Sequence, residues 1–404
     1  MNDPAPPFPA PYDDVPVSDI DPYDRQNLLD ARVLHAELRA KGPLVWLQRY
    51  GIWATGSHLE LSTIFKDHKR FCSSRGVGIQ DFKTDKPWRP PSLILEVDPP
   101  AHTRTRKILS SVLSRDVLEA LRESFVTQAE QLVSNLLEQG EIDGVADLAV
   151  TFPLKVFPPA VGLTAPEGQP LLDYGTMVFN MLGPNNEIAE QAQQNAATVL
   201  PWIAAQCARE NLLADGLGRS IYAYADRDEI TEEEASLLVR SLLSAGLDTT
   251  VIALGNALHC FAEHPEQWKL LRAEPQRARF AFEEVLRFAS PVHTFYRTAD
   301  ADTEVSGIRI SEGHKIMLNI ECANRDTQRW ADANSFDIMR RPGGHAAFGV
   351  GIHACVGRHL AALEAEVLLQ ALAAKVERIE LAGEPVREPN NSLTGYRSLP
   401  LLLS

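Results

Sequence analysis

Phe348-Gly349-Val350-Gly351-Ile352-His353-Ala354-Cys355-Val356-Gly357-Arg358-His359-Leu360-Ala361 is the stretch whose reading decides the fold. One cysteine stands among three glycines, and apolar periodicity predicts a helix from 360 to about 376. Glycines ahead of the cysteine let a loop turn sharply and approach a flat ligand closely. A cysteine just before a helix lies where unpaired backbone N–H groups and the positive dipole end converge, which favours thiolate over thiol. Three plainer readings compete. A lone cysteine beside a helix is often a small core residue. A zinc site would need more ligands, and His345, His353 and Cys355 lack the paired spacing of a structural one. Gly349-x-Gly351-x-x-Ala354 mimics a dinucleotide fingerprint, with Glu377 or Glu380 downstream, but too little chain follows to complete a doubly wound sheet.

Working outward, the 404 residues suffice for a large core, as one big domain or two ordinary ones. A net charge of −15, from 39 basic and 54 acidic residues, argues against nucleic acid and against anionic membrane surfaces. The five cysteines (72, 207, 260, 322, 355) are scattered and odd in number, which suits a reducing compartment. Residues 1–22 are proline-rich and acidic, without the apolar run of a signal peptide, and are expected to form a flexible arm ahead of a single domain over 23–404. No stretch approaches ~18 consecutive apolar residues. The expectation is a soluble, cytoplasmic protein.

Helical period is read over 28–40, 57–65, 101–137, 169–182, 187–214, 218–225, 231–262 and 275–288. Strand-like pieces lie at 44–48, 51–55, 292–298, 303–310 and 314–318, and Ser57 is a plausible N-cap. The period vanishes from 72 to 100, a glycine- and proline-punctuated loop long enough to be functional. The balance is mainly α with a minor β region.

The helix read over 231–262 is apolar nearly all round, so its polar residues carry the information. Ser241, Ser244 and Asp248, three and then four apart, share one face, with Arg240 and Thr249 adjoining. Two serines and an arginine on an apolar helix need partners, and an anionic ligand would supply one. The bland alternative has the serines bonding back to their own helix and Arg240 solvated or paired with Glu233 or Glu234.

Phe348, Gly351, His353, Cys355 and Gly357, spaced Phe-x-x-Gly-x-His-x-Cys-x-Gly, resemble the haem-ligand loop of the cytochrome P-450 superfamily. The resemblance implies the P-450 fold, with haem b between the long central helix and the cysteine-loop helix and Cys355 as axial thiolate. Ala245-Gly246-Leu247-Asp248-Thr249-Thr250 resembles the superfamily's oxygen-activating segment, which makes Asp248 and Thr249 the proton-delivering pair and leaves Gly246 as room for a diatomic. Glu284-x-x-Arg287 matches the element that fixes the meander before the haem loop, a structural role. His102, Arg106, Arg297 and His353 match propionate contacts, with Gly357 flanking the sulfur.

From about residue 70 on, the chain resembles the bacterial members that oxidise para-substituted benzoates. By that resemblance Arg89, Ser92, Tyr174, Arg240, Ser241 and Ser244 would grip a benzoate carboxylate, and Phe179 and Phe295 would pack its ring. Leu182, Tyr296 and His293 depart from close members, leaving the para substituent open. The implied reaction is O-demethylation or hydroxylation with O2 and electrons from a ferredoxin and its NAD(P)H-dependent reductase, since no flavin or iron–sulfur motif is present. Rivals are a haem monooxygenase for a terpenoid or fatty acid, and a non-catalytic haem sensor.

Overall fold

The computed structural model describes residues 8–164 and 168–404. It is mostly helical, with a mixed sheet in the strand order Val17–Ser18, Val45–Leu47, Ile52–Thr55, Lys315–Asn319, Thr294–Ala299, Phe71–Cys72. Trp53 faces Ile316 in a parallel pairing, and Thr294 through Thr298 run antiparallel to Asn319 through Lys315. Of the expected arm, residues 1–7 lie outside the described residues. From Phe8 on the chain is fastened: Phe8 N–H donates to Gln48 O at 2.7 Å, and Val17–Ser18 pairs with Trp46–Leu47.

Several predicted helices are subdivided. The stretch 101–137 becomes Ala101–Val112, Arg115–Glu119 and Arg122–Gln139, and 187–214 becomes Glu187–Ala192 and Ala196–Gln206. Ser57 occupies the expected N-cap but makes no side-chain cap bond. The orphan N–H of His58 instead donates to Asp326 Oδ2 at 2.9 Å, a cap supplied from far along the chain. Residues 73–100 hold no helix or strand, as the lost period implied. The π-helix Gly144–Val150, the helix Thr151–Val161 and the carboxy-terminal strands from Ile379 to Leu403 had no reading in the sequence. Gly144–Val161 and Glu232–Glu263 are long and apolar enough to cross a membrane, but over half of each is buried inside the protein.

The central helix is the informative difference. It breaks into Glu232–Ala245 and Asp248–Glu263, with Gly246 and Leu247 between. At the break, hydroxyls take over from amides: Thr249 Oγ1 donates to Ala245 O at 2.9 Å and Thr250 Oγ1 to Gly246 O at 3.4 Å. The Thr250 N–H closes a shorter turn onto Leu247 O. Threonine back-bonding opens the ladder. Gly246 serves a different end from the expected space for a diatomic: a Cβ there would overlap the Phe157 ring and Leu242 O, so its bare face is closed against the helix Thr151–Val161.

Candidate active site

The cysteine loop is shaped by its glycines. Gly351 has φ +79°, and a Cβ there would lie 2.6 Å from Phe65 O, so only glycine lets the loop pass the end of the helix His58–Lys66. Cys355 N–H donates to Phe348 O at 2.7 Å, and the helix Arg358–Lys375 starts three residues on. Burial pushes the Cys355 thiol up; backbone N–H groups of Gly357 and Arg358 and the charges of Arg106 and Arg358 pull it back down. A Cβ at Gly357 would stand 3.8 Å from Cys355 Sγ, an ordinary contact that places residue 357 directly beside the sulfur.

Beside the sulfur, cationic and N–H groups converge. Arg106 Nη1 donates to Ala354 O, the carbonyl next to Cys355. The rings of His102 and His353 lie 4.2 Å apart, and both Nε2 atoms are buried without a hydrogen-bond partner. His353 Nδ1 meets Ile94 O at 3.2 Å, and its Nε2 lies 3.6 Å from Asp98. Burial would raise the Asp98 carboxyl, but the His353 ring beside it and bonds from Ser74 and Ser73 hold it well below the usual range. Burial lowers His102 to about 4, with His353 and Arg106 adding to the effect. Arg297, 3% exposed, gives one N–H to Tyr296 O and lies over the Phe65 ring. Orphaned imidazole nitrogens, the buried guanidinium of Arg297 and the half-buried one of Arg106 make a donor set suited to paired carboxylates.

Leu247 belongs to an apolar cluster against which the loop residues Phe348 and Val356 also pack, while Ala245 is exposed and Thr249, Phe348 and Cys355 are half-exposed. The sulfur and its carboxylate-seeking donors fit haem b with two propionates. Asp248 is buried. Its carboxylate rests on Gly175, where a Cβ would overlap it. Oδ2 receives Thr176 Oγ1 at 3.5 Å, while Oδ1 has no partner among the described residues. Burial raises its pKa to about 8. Asp248 also lines a cavity of about 1000 Å³ reaching Arg387 and Arg397.

A second polar cluster lies at the turn Trp88–Glu96. Ser92 Oγ and Ser241 Oγ are 3.3 Å apart; Ser241 also bonds back to Leu237 O and Ser244 to Ser241 O. Arg240 donates to Pro90 O at 2.7 Å, whereas Glu234, one of its expected partners, bonds Arg104 instead. Arg89 meets an acid the sequence reading missed: Nη1 lies 3.4 Å from Glu96 Oε2, which also accepts Ser92 N–H at 2.7 Å. Tyr174 is buried, and the charges of Arg89 and Arg240 offset part of the rise that burial gives its phenol. Phe179, Leu182 and Phe295 share an apolar cluster with Leu95, Ile252 and Leu393. Two of the three departures face elsewhere. Strand alternation turns Tyr296 away from Phe295, onto the Tyr23 hydroxyl. His293 lines a separate polar cleft and meets Asn390 O. Only Leu182 adjoins Phe179 and Phe295.

Glu284 and Arg287 are not the surface pair that their i,i+3 spacing suggests in isolation. Both are fully buried, joined by two bonds of 2.7 and 2.8 Å. Arg287 also donates to Asn324 O, Ala333 O and Ser335 O, and Glu284 accepts from Asp337 N and Arg340 Nε.

Residues 171–393 match the family described as Cytochrome P450. The chain is 48% identical over 391 residues to "Cytochrome p450 CYP199A2" of Rhodopseudomonas palustris, covering 96% of this chain and 95% of that one. It is 30% identical to the erythromycin C-12 hydroxylase of Saccharopolyspora erythraea, over 90% of this chain and 92% of that protein. Among solved structures, cytochrome P450 CREJ in complex with (4-ethylphenyl) dihydrogen phosphate superposes with a TM-score of 0.82 at 26% identity, covering 95% of this chain and 99% of that one.

Proposed function

Because this chain belongs to the cytochrome P450 family, an O2-dependent monooxygenase family that uses haem b and external redox partners, we propose that it oxidises the para substituent of a benzoate, by O-demethylation or hydroxylation. The observation that carries the reading is a polar group and an apolar group joined by the helix Gly168–Asn180, which bears Tyr174 in the first and Phe179 in the second. Arg89, Ser92, Tyr174, Arg240 and Ser241 meet around the 88–96 turn, and Phe179, Leu182 and Phe295 cluster separately. An aromatic acid presents the same division. Its carboxylate is received by the guanidiniums and by serine hydroxyls that can turn from their own helix carbonyls. CREJ, solved in complex with the para-substituted aryl phosphate (4-ethylphenyl) dihydrogen phosphate, lends support from a neighbouring fold.

When bound, haem ligated by Cys355 supplies the activation of dioxygen. His102, Arg106, Arg297 and His353 would hold its propionates, and Gly357 lies beside the sulfur. Asp248 stores a proton at Oδ1, and the Thr249 hydroxyl, released from Ala245 O, passes protons toward the haem site. Glu284 and Arg287 brace the meander. Electrons come from a ferredoxin with an NAD(P)H-dependent reductase, in a soluble, cytoplasmic single-domain protein.

The test is a spectral titration of the haem-loaded protein. 4-Methoxybenzoate is expected to shift it toward high spin and to bind at least tenfold more tightly than 4-methoxybenzamide, because the amide leaves the cations uncompensated. Equal binding, or a stronger response to a terpenoid or fatty acid, refutes the carboxylate site. Thr249→Ala is expected to keep consuming NADH while product yield falls about tenfold or more and peroxide rises; unchanged coupling removes the hydroxyl from proton delivery.

Asp248 adds a pH dependence. Folding raises its pKa from ~4 to about 8, so the unfolded chain releases a proton that the folded one keeps. Its stabilising contribution is present below pH ~4 and is lost as pH climbs to 8. Asp248→Asn is therefore expected to match the parent in acid, to become progressively more stable than it toward pH 8, and to turn over more slowly. Urea unfolding at several pH values reads this; parallel stability profiles refute it.

A further inference from the structure

One carboxylate stands among the cations of the acid-binding end, and we propose that Glu96 sets the charge of the ligand this end accepts, trimming Arg89 and Arg240 to a net +1 so that a singly charged aromatic acid is preferred to a doubly charged one. The proposal rests on the reading of that end as the carboxylate site.

Glu96 is 5% exposed, and its Oε2 is bonded to Ser92 N–H and paired with Arg89. Arg89 is not saturated by this contact: its Nε is buried and has no partner among the described residues. Arg240 gives Nη2 to Pro90 O and makes no ion pair among the described residues. The three charges act on a common place, since Tyr174 feels Arg89, Arg240 and Glu96, and Arg240 feels Arg89 and Glu96. Two guanidiniums and one carboxylate leave one positive charge. A benzoate monoanion brings the cluster to neutrality, whereas an aryl phosphate dianion leaves a surplus negative charge in a place mostly closed to water. Burying an uncompensated charge is costly. At separations of about 5–7 Å and an effective dielectric near 20, one charge alters binding by about fiftyfold to three-hundredfold per unit of ligand charge before solvent screening, so tenfold is a conservative expectation.

Glu96 serves geometry as well as charge, because Oε2 holds Ser92 in place. The informative variant is therefore Glu96→Gln, whose side-chain carbonyl can still accept from Ser92 N–H and Arg89. Arg240→Gln is the second variant, with the opposite sign. The haem-loaded proteins are titrated with 4-methoxybenzoate, 4-methoxyphenyl phosphate and neutral 4-methoxybenzamide at pH ~8, where an aryl phosphate of second pKa ≈ 6 is a dianion. The parent is expected to prefer benzoate to phosphate. In Glu96→Gln the phosphate should gain at least about tenfold over benzoate, with the amide unmoved. In Arg240→Gln both anions should weaken, the phosphate more. A benzoate-to-phosphate ratio that both variants leave unaltered overturns the role of Glu96 while the acid site stands. A parent that binds the amide as well as the benzoate overturns the acid site itself, and the proposal with it.

Discussion

Cys355→Ser is expected to lower product formation by more than about a hundredfold and to remove the red-displaced Soret maximum from the ferrous carbonyl adduct. Changing even a group that supports a metal ligand typically costs 10–100-fold, so loss of the ligand sulfur should exceed that. The Gly357 and Arg358 N–H groups and the Arg106 and Arg358 charges favour an anion at this atom against the opposing effect of burial. A serine hydroxyl keeps its proton under the same field, so the donors lose the charge they stabilise. The backbone bond from residue 355 to Phe348 O does not involve the side chain and should persist. Circular dichroism should accordingly show an intact fold. A serine variant that turned over at the parent rate would remove Cys355 from the chemistry.

Arg287→Met is expected to destabilise the protein by about 3–5 kcal/mol, the cost of leaving a buried carboxylate without its partner. Glu284 has no route to water at 0% exposure. Its remaining donors, Asp337 N and Arg340 Nε, lie farther off at 3.1 and 3.2 Å. The carbonyls of Asn324, Ala333 and Ser335 lose their donor in the same substitution. The double variant Glu284→Leu/Arg287→Leu removes the orphaned charge but not the orphaned carbonyls, so it should recover part of the loss and no more. Urea unfolding of the three proteins separates the terms. A loss below about 1 kcal/mol in the single variant would show that the pair does not brace the meander.

What could be read in advance followed how local the cause was. The cysteine loop was legible because glycine positions and the start of a helix are encoded within a dozen residues. The central helix was legible in extent but not in its break, since the exchange of amide for hydroxyl at Thr249 and Thr250 depends on packing around Gly246. The bare face of Gly246 was misread because nothing in the sequence places Phe157 beside it. The Glu284–Arg287 spacing was visible, whereas its burial depends on carbonyls 37 to 48 residues away. Glu96 went unnoticed for a similar reason. It lies seven positions from Arg89 in a loop without period, so only the fold of 88–96 brings them together. Tyr296 and His293 were read as departures from close members that leave the para substituent open; strand alternation turns Tyr296 away from the side of Phe295, which bears on that question only once the direction of Phe295 is fixed.

The most direct measurement is a product assay with 4-methoxybenzoate, O2, NADH and a surrogate ferredoxin and reductase. Proton delivery by Asp248 and Thr249, sulfur ligation by Cys355 and an acid site at Arg89, Ser92 and Ser241 together predict 4-hydroxybenzoate and formaldehyde in equal amounts, close to the NADH consumed, and little product from 4-methoxybenzamide. NADH consumed without 4-hydroxybenzoate, or equal turnover of acid and amide, would contradict the account.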